Sequence, residues 1–399
     1  MNKIALLAIG GGLLAQPAIA DEIFFEASGK LSTEVTMYAS EGAFSQQDYR
    51  SNLSVALTPE FFWEWNDGQD SVTFQPFLRK DQRDAQRTHA DIRELSWVHL
   101  SDNWELRSGY RKVFWGVTEF QNLVDVINQK DSVEGLDSSN KLGQPMINLS
   151  LVKDWGIIDF YVLPGFREQT YSSADGRLRA GLTVHDSLTS YESSRKEDHI
   201  DLAARWSHSI DVYDIGAHWF KGTDRSAQYQ VVTLNGSPVL KAHYQQIEQV
   251  GVDIQATIDS WLYKGEVIYQ DNDSENFWAA QLGAEYTLYG IQESNTDLGI
   301  LLEYGYDQRG TDASANMQND IGFGARLAFN DTQSSSVLAG VIHDLDYHGT
   351  SFSIEAERRF GDNWKATLEG KAFSSGSSND PASIFDKDDY IKLTLDRYF

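Results

Sequence analysis

"NWKATLEGKA", residues 363–372, decides the fold. Along an extended chain Trp364, Ala366, Leu368, Gly370 and Ala372 fall on one face, and Lys365, Thr367, Glu369 and Lys371 on the other. Period two is that of a β-strand whose two faces meet different surroundings. Working outward from it, "FWAAQLGAEYTLY" (277–289) sets Trp278, Ala280, Leu282, Ala284, Tyr286 and Leu288 against Gln281, Gly283, Glu285 and Thr287. "IGFGARLAF" (321–329) sets Ile321, Phe323, Ala325, Leu327 and Phe329 against Gly322, Gly324 and Arg326. The pattern returns near 24–37, 51–65, 71–79, 104–112, 146–152, 198–207, 248–258, 260–269, 297–307 and 351–360.

A soluble β-sandwich alternates too, so the position of the aromatic residues discriminates. On the apolar faces they gather at strand ends (Trp63 and Trp65, Trp104, Trp206, Trp261, Trp364), with small and aliphatic residues between them. Aromatic girdles at the two interfaces of a membrane-spanning barrel have this layout, whereas a sandwich buries its tryptophans in mid-strand. The opening "MNKIALLAIGGGLLAQPAIADE" has Lys3, an apolar run and the triplet Ala18, Ile19, Ala20, the layout of a secretory signal peptide over residues 1–20. Three consecutive glycines, Gly10 to Gly12, argue against a buried helix there. Residues 21–399 contain no apolar run of about 18 residues, which excludes helical membrane spanning. The chain has no cysteine, so an exported protein of this size must draw its stability from a large hydrogen-bonded network or core. Its net charge of -26 disfavours nucleic acid as a partner and suits cations, divalent-bridged lipopolysaccharide or simple solubility alike.

The final "YIKLTLDRYF" (390–399) keeps Ile391, Leu393, Leu395 and Phe399 in one register. Here the chain resembles bacterial outer-membrane β-barrel proteins, whose last strand ends in phenylalanine and is read by the barrel assembly machinery. The resemblance makes Phe399 the expected assembly signal and the outer membrane the expected location, with its lipids and lipopolysaccharide as surroundings. Arg397 departs from the pattern, since it stands on the apolar face.

Outer-membrane barrels alternate short periplasmic turns with longer outer loops. Counting back from Phe399, this parity holds along the chain and predicts an all-β, antiparallel up-and-down barrel of 18 strands, or 16 if 70–80 or 334–345 is misread. The segment 113–144 then becomes the third outer loop. In the porin family, which this architecture resembles, that loop commonly folds into the lumen and forms the constriction. Such a loop must set apolar groups against the wall and polar groups toward the pore. Phe114, Trp115, Phe120, Leu123, Val124, Val126 and Ile127 stand beside Glu119, Asn122, Asp125, Asn128, Asp131, Glu134 and Asp137. The other reading is an ordinary outer loop with a short amphipathic helix at 118–128. "VFWGVTEFQNLVDVINQKD" (113–131), "KLGQPM" and "DWGIIDFYVLPGFRE" also resemble a group of uncharacterised porin-like proteins of Gram-negative bacteria, in which a Trp-Gly pair, an Asp-x-x-Asn element (Asp125 to Asn128) and a Gln-Pro-Met element (Gln144 to Met146) recur in this order.

By parity Arg79, Arg107 and Arg111 point inward on the third and fifth strands, beside the third loop. Set against Glu119, Asp125, Asn128, Asp131 and Glu134 they predict a constriction with a transverse field, which orders water and orients dipolar solutes. The plainer reading is that these arginines pair with Glu105 and neighbouring carboxylates to hold the loop. The expected function is a porin passing small hydrophilic solutes or ions, without enzymatic activity, cofactor or metal. No G-x-S-x-G, H-E-x-x-H or cysteine is present, and the acidic outer segments lack the spacing of a calcium loop. An outer-membrane hydrolase and a non-conducting receptor or adhesin barrel are the alternatives. Asn235-Gly236 predicts a hairpin turn within 227–242.

Overall fold

A computed structural model describes residues 23–399 apart from Ser138, 314–316 and Ser378; the expected signal peptide lies outside the described residues. The alternating segments become strands β1 Phe24–Tyr38, β2 Ser51–Trp65, β3 Asp70–Asp81, β4 Ala90–Leu100, β5 Trp104–Arg111, β6 Gln144–Lys153, β7 Gly156–Pro164, β8 Ile200–Ile210 and β9 Tyr213–Thr223. They continue as β10 Gln246–Ile258, β11 Trp261–Asn272, β12 Asn276–Leu288, β13 Asp297–Asp307, β14 Asn319–Ala328, β15 Ser336–Asp344, β16 Thr350–Phe360, β17 Trp364–Ser374 and β18 Tyr390–Tyr398. Each pairs antiparallel with the next, and β18 closes on β1 from Lys30↔Tyr398 to Tyr38↔Tyr390. Closure gives an 18-stranded barrel with no free edge, so no strand of the wall is left with an unpaired side. The strand count is therefore 18 and not 16. The doubtful segment at 70–80 is a full strand that carries a bulge at Gln75/Pro76, where proline has no N–H to give the ladder.

The molecule is turned inside out relative to a water-soluble protein. Leu282, Leu302 and Phe323 are about half exposed on the outside, while Gln281, Glu266 and Glu303 on the inward faces are fully buried. In water such an apolar exterior would aggregate; in lipid it is the matched surface. Trp104, Trp261 and Trp364 lie next to short turns, and Tyr269, Trp278 and Tyr304 lie toward the opposite rim, which forms two girdles. The short turns use left-handed backbone at Asn66, Asp67, Asp211 and Asp259, residue types that tolerate it. Above the long-loop rim a second small sheet pairs Gln228–Leu234 with Ser237–Tyr244 across Asn235-Gly236, both with positive φ as a tight hairpin requires.

The larger hydrophobic cluster lies inside the barrel, and a smaller one of Phe166, Ala227, Ala242 and Tyr244 sits among the outer loops. Trp115, Val124, Val126 and Ile127 of the third long loop pack on Met146, Tyr161, Leu163, Phe220, Ile268 and Phe277, which point inward from β6, β7, β9, β11 and β12. No helix forms at 118–128. Among the described residues, helical structure is limited to short 3-10 turns, the longest being Pro381–Phe385.

Candidate functional site

Two unlike halves of the wall hold the segment between β5 and β6. On one half, inward carboxylates accept from the loop's backbone. Val117 N–H donates to Glu266 Oε1 at 2.7 Å, and the Thr118 N–H and hydroxyl donate to the same oxygen at 3.1 and 2.8 Å. Leu123 and Val124 N–H donate to Glu266 Oε2 at 2.6 and 3.3 Å. Two strands away Glu303 accepts from Glu119 N–H at 2.7 Å and Phe120 N–H at 3.1 Å. An irregular segment has no ladder to satisfy its amides, and buried amides need acceptors. Ionised carboxylates supply them with stronger, charge-assisted bonds. Here the Phe120 ring lies on a floor of glycines: a Cβ at Gly322 or Gly340 would come within 2.5 or 2.8 Å of it. That close approach accounts for the glycines on the inward face of β14 and β15.

On the other half the polarity is reversed, and wall guanidiniums hold loop carboxylates. Arg79 on β3 bonds Glu134 Oε2 at 2.8 Å, Glu34 of β1 at 2.8 Å and Ser54 at 2.7 Å. Arg87 bonds Glu34 Oε2 at 2.7 Å, Asp81 at 2.8 Å and the Val133 carbonyl at 2.9 Å. Arg93 on β4 bonds Asp131 and also Asp91 at 3.1 Å. Farther round the wall Lys371 of β17 reaches Asp137 at 2.6 Å. The first half has a guanidinium contact too: Arg326 of β14, the strand next to that of Glu303, reaches Glu119 at 2.6 Å. His89, Asp131 and Glu134 bring three metal-ligand atoms within 4.8 Å of one another. Arg93 already stands against both carboxylates, on Asp131 and 3.9 Å from Glu134, so a guanidinium fills the place a cation would take.

The residues singled out in the sequence part company here. Arg79, Glu119, Asp131 and Glu134 make the wall-to-loop contacts just described. Arg107 pairs with Glu105 of its own strand, and Arg111 donates to Asn148 at 3.4 Å; among the described residues neither has a loop carboxylate as hydrogen-bond or ion-pair partner. Asp125 and Asn128 turn into the loop itself. Asp125 pairs with Lys141, and Asn128 accepts from Val113 N–H at 2.8 Å while donating to the Arg111 and Leu142 carbonyls at 2.8 and 2.9 Å, tying together the two stems. Phe114 does not pack on the wall: it is exposed, with Lys141 Nζ 4.2 Å from its ring centroid. Phe399 exchanges backbone bonds with Gly29 at 3.0 and 3.1 Å and leaves its ring exposed.

Sequence reasoning missed Glu266 and Glu303 as loop acceptors, because their partners are backbone amides that carry no residue signature. It placed 164–196 among the long outer connections but missed that the loop 165–199 reaches across the long-loop end of the barrel. Gly176 accepts from Gln47 at 2.5 Å and Asp175 from Tyr49 at 2.8 Å. Thr170 donates to Asp131 at 2.7 Å, joining this loop to the one below it. Arg177 is buried against Tyr38, 4.0 Å from its ring centroid, and bonds Asp388 and the carbonyls of Ser40, Tyr49 and Lys387. Burial pushes the Asp388 carboxyl above its ordinary range, against the pull of Arg177. Burial likewise pulls Lys112, the first residue after β5, down to about 8, with Arg93 acting the same way and Asp131, Asp91 and Glu134 opposing. Two serine–histidine contacts lie in the outer loops, Ser187–His185 and Ser190–His243, both 3.0 Å. Among the described residues neither imidazole is hydrogen-bonded to a carboxylate that would orient it as a base.

No protein-family model matches the sequence, and no curated protein does. Solved structures do resemble the fold. Wzi of Escherichia coli, an outer-membrane protein described as a carbohydrate-binding β-barrel involved in capsule assembly, superposes with a TM-score of 0.51 at 9% identity, over 94% of this chain and 84% of its own. OpdQ of Pseudomonas aeruginosa gives 0.49 at 10% over 94% and 97%, and OmpT of Vibrio cholerae, an outer membrane protein, 0.47 at 10% over 95% and 100%. At such identities the likeness is one of fold. The closed antiparallel barrel with its apolar, lipid-matched exterior is built as an outer-membrane β-barrel, a fold it shares with Wzi.

Proposed function

We propose that the barrel is a porin, a passive route for small hydrophilic solutes or ions, and that the loop 113–144 sets its bore. The observation that carries this reading is the attachment of one loop to both halves of the inner wall, to Glu266 and Glu303 on one side and to Arg79 and Arg93 on the other. An 18-stranded wall encloses more than its own side chains fill, and a loop strung across it divides the lumen into a narrow polar passage. Charged side chains of both signs line that passage, which suits hydrated solutes.

Purified protein in a planar bilayer tests this. Unitary currents are expected, and removing about ten residues around 118–128 is expected to raise the conductance while the barrel still assembles, because the wall's own bonds are untouched. Unchanged conductance after the deletion would place the constriction elsewhere. A second reading, a non-conducting receptor or adhesin barrel, is favoured by the buried Arg177 tether that draws the loop 165–199 across the mouth. Absence of current from assembled wild-type protein would select it.

A further inference from the structure

The outer wall carries two arginines where alternation calls for apolar residues. Arg358 near the end of β16 stands opposite Ala366, and Arg397 of β18 stands opposite Trp364 and Leu31; all five side chains share the lipid-facing side. Elsewhere along the short-turn rim the outward positions near strand ends are filled by residues such as Trp63, Trp104, Trp206 and Trp261. Beside Arg358 a groove of about 310 Å³ opens to the outside, lined by Phe329, Val337, Ala356, Ala366, Leu368 and Leu393. It exists because Ala356 and Ala366 stop short where Phe329, Leu368 and Leu393 stand up. Arg358 forms its lip, fixed there by bonds to Asp331 at 3.1 Å and Ser335 at 2.7 Å. Arg397 lies over the Trp364 ring, 5.3 Å from its centroid, and donates to the Tyr398 carbonyl at 2.7 Å.

We propose that this face is a binding site for a phospholipid with an anionic headgroup, its phosphodiester held by Arg358 at the lip of the groove, its net charge met by Arg397 two strands away, and one acyl chain laid in the groove. The groove is apolar and faces hydrocarbon, so a chain fills it and water does not. Guanidinium forks match phosphate oxygens. Asp331 offsets one of the two positive charges, so the two arginines and Asp331 together carry a single net positive charge that favours a net-negative headgroup over a zwitterionic one. Short turns face the periplasm in such barrels, and the site therefore meets the inner, phospholipid leaflet. The site does not depend on whether the lumen conducts.

Native mass spectrometry of the detergent-solubilised full chain, incubated with phosphatidylglycerol or phosphatidylcholine of equal chain length, tests it. Wild-type protein is expected to retain phosphatidylglycerol about fivefold better, the factor that goes with one basic residue at an anionic lipid surface. Arg358→Gln with Arg397→Gln is expected to erase the preference. Ala356→Leu with Ala366→Leu, which fills the groove and leaves the charges, is expected to lower retention of both lipids. Heat-dependent gel migration confirms that each variant is folded. Equal retention of the two lipids by wild type, a preference that survives the double arginine change, or a second copy of the chain in place of lipid would each overturn the proposal.

Discussion

The two halves of the inner wall hold the same loop by opposite means. Near Glu266 and Glu303 the wall is the acceptor and the loop offers N–H groups, which every residue but proline has. Near Arg79 and Arg93 the wall is the donor, and the loop must place particular side chains, Glu134 and Asp131, to meet it. Apart from the Thr118 hydroxyl and the Glu119–Arg326 pair, the first attachment depends on loop conformation rather than loop sequence; the second is the reverse. Glu266 therefore acts as a template around which residues 117–124 coil, and the arginine side works as a set of separable charge pairs.

Replacing Glu266 with glutamine is expected to have the largest effect. The amide keeps one oxygen and adds donors that face donors, stranding several loop N–H groups at ~1–3 kcal/mol each. Residues 117–124 should leave the wall, seen as higher and noisier single-channel current with unchanged heat-dependent gel migration. Wild-type currents in the Glu266→Gln protein would mean that the carboxylate does not hold the loop.

Next comes the Arg79–Glu134 pair. Removing one partner of a buried pair costs about 3–5 kcal/mol, because the other charge stays behind. Arg79→Met should cost more than Glu134→Gln, since Arg79 also serves Glu34. A double-mutant cycle read by urea unfolding in liposomes separates the two terms. Additive losses would show that the pair is not coupled.

Arg107 and Arg111 sharpen the comparison, since neither holds the loop. Serine at both should leave stability nearly unchanged and shift the reversal potential toward cations, the more so because Glu105 loses its partner. The shift should shrink at 1 M salt, where the Debye length is roughly 3 Å. A stable channel with unchanged selectivity at low salt would place both arginines away from the narrowest point.

The smallest effect concerns Lys112. With its ammonium pulled down to about 8, raising the pH from 7 to 9 removes one positive charge from the loop's first residue. Cation selectivity should rise over that interval, and Lys112→Met should flatten the profile at the high-pH level. An identical profile in the methionine variant would assign the change to another group.

Much of this architecture is legible in the bare chain. Alternation from Phe24 to Tyr398, with short and long connections in turn, marks the inward and outward faces and the lipid exposure, because each is a property of local spacing; the count of 18 rather than 16 waited on the pairing of 70–80 and 334–345. The bulk of Trp115, Val124, Val126 and Ile127 marks 113–144 as a segment that needs cover. Tertiary structure alone decided what covers it. That Glu266 would gather amides from residues 149 to 142 positions earlier, or that Arg177 would reach Asp388 more than two hundred residues away, depends on barrel closure. Closure brings distant positions to one radius, and backbone amides carry no residue code. For the same reason Asp125 and Asn128 looked like pore residues but fold into their own loop. Their residue type announces polarity, whereas the direction in which that polarity is spent is set by the nearest unsatisfied partner in space.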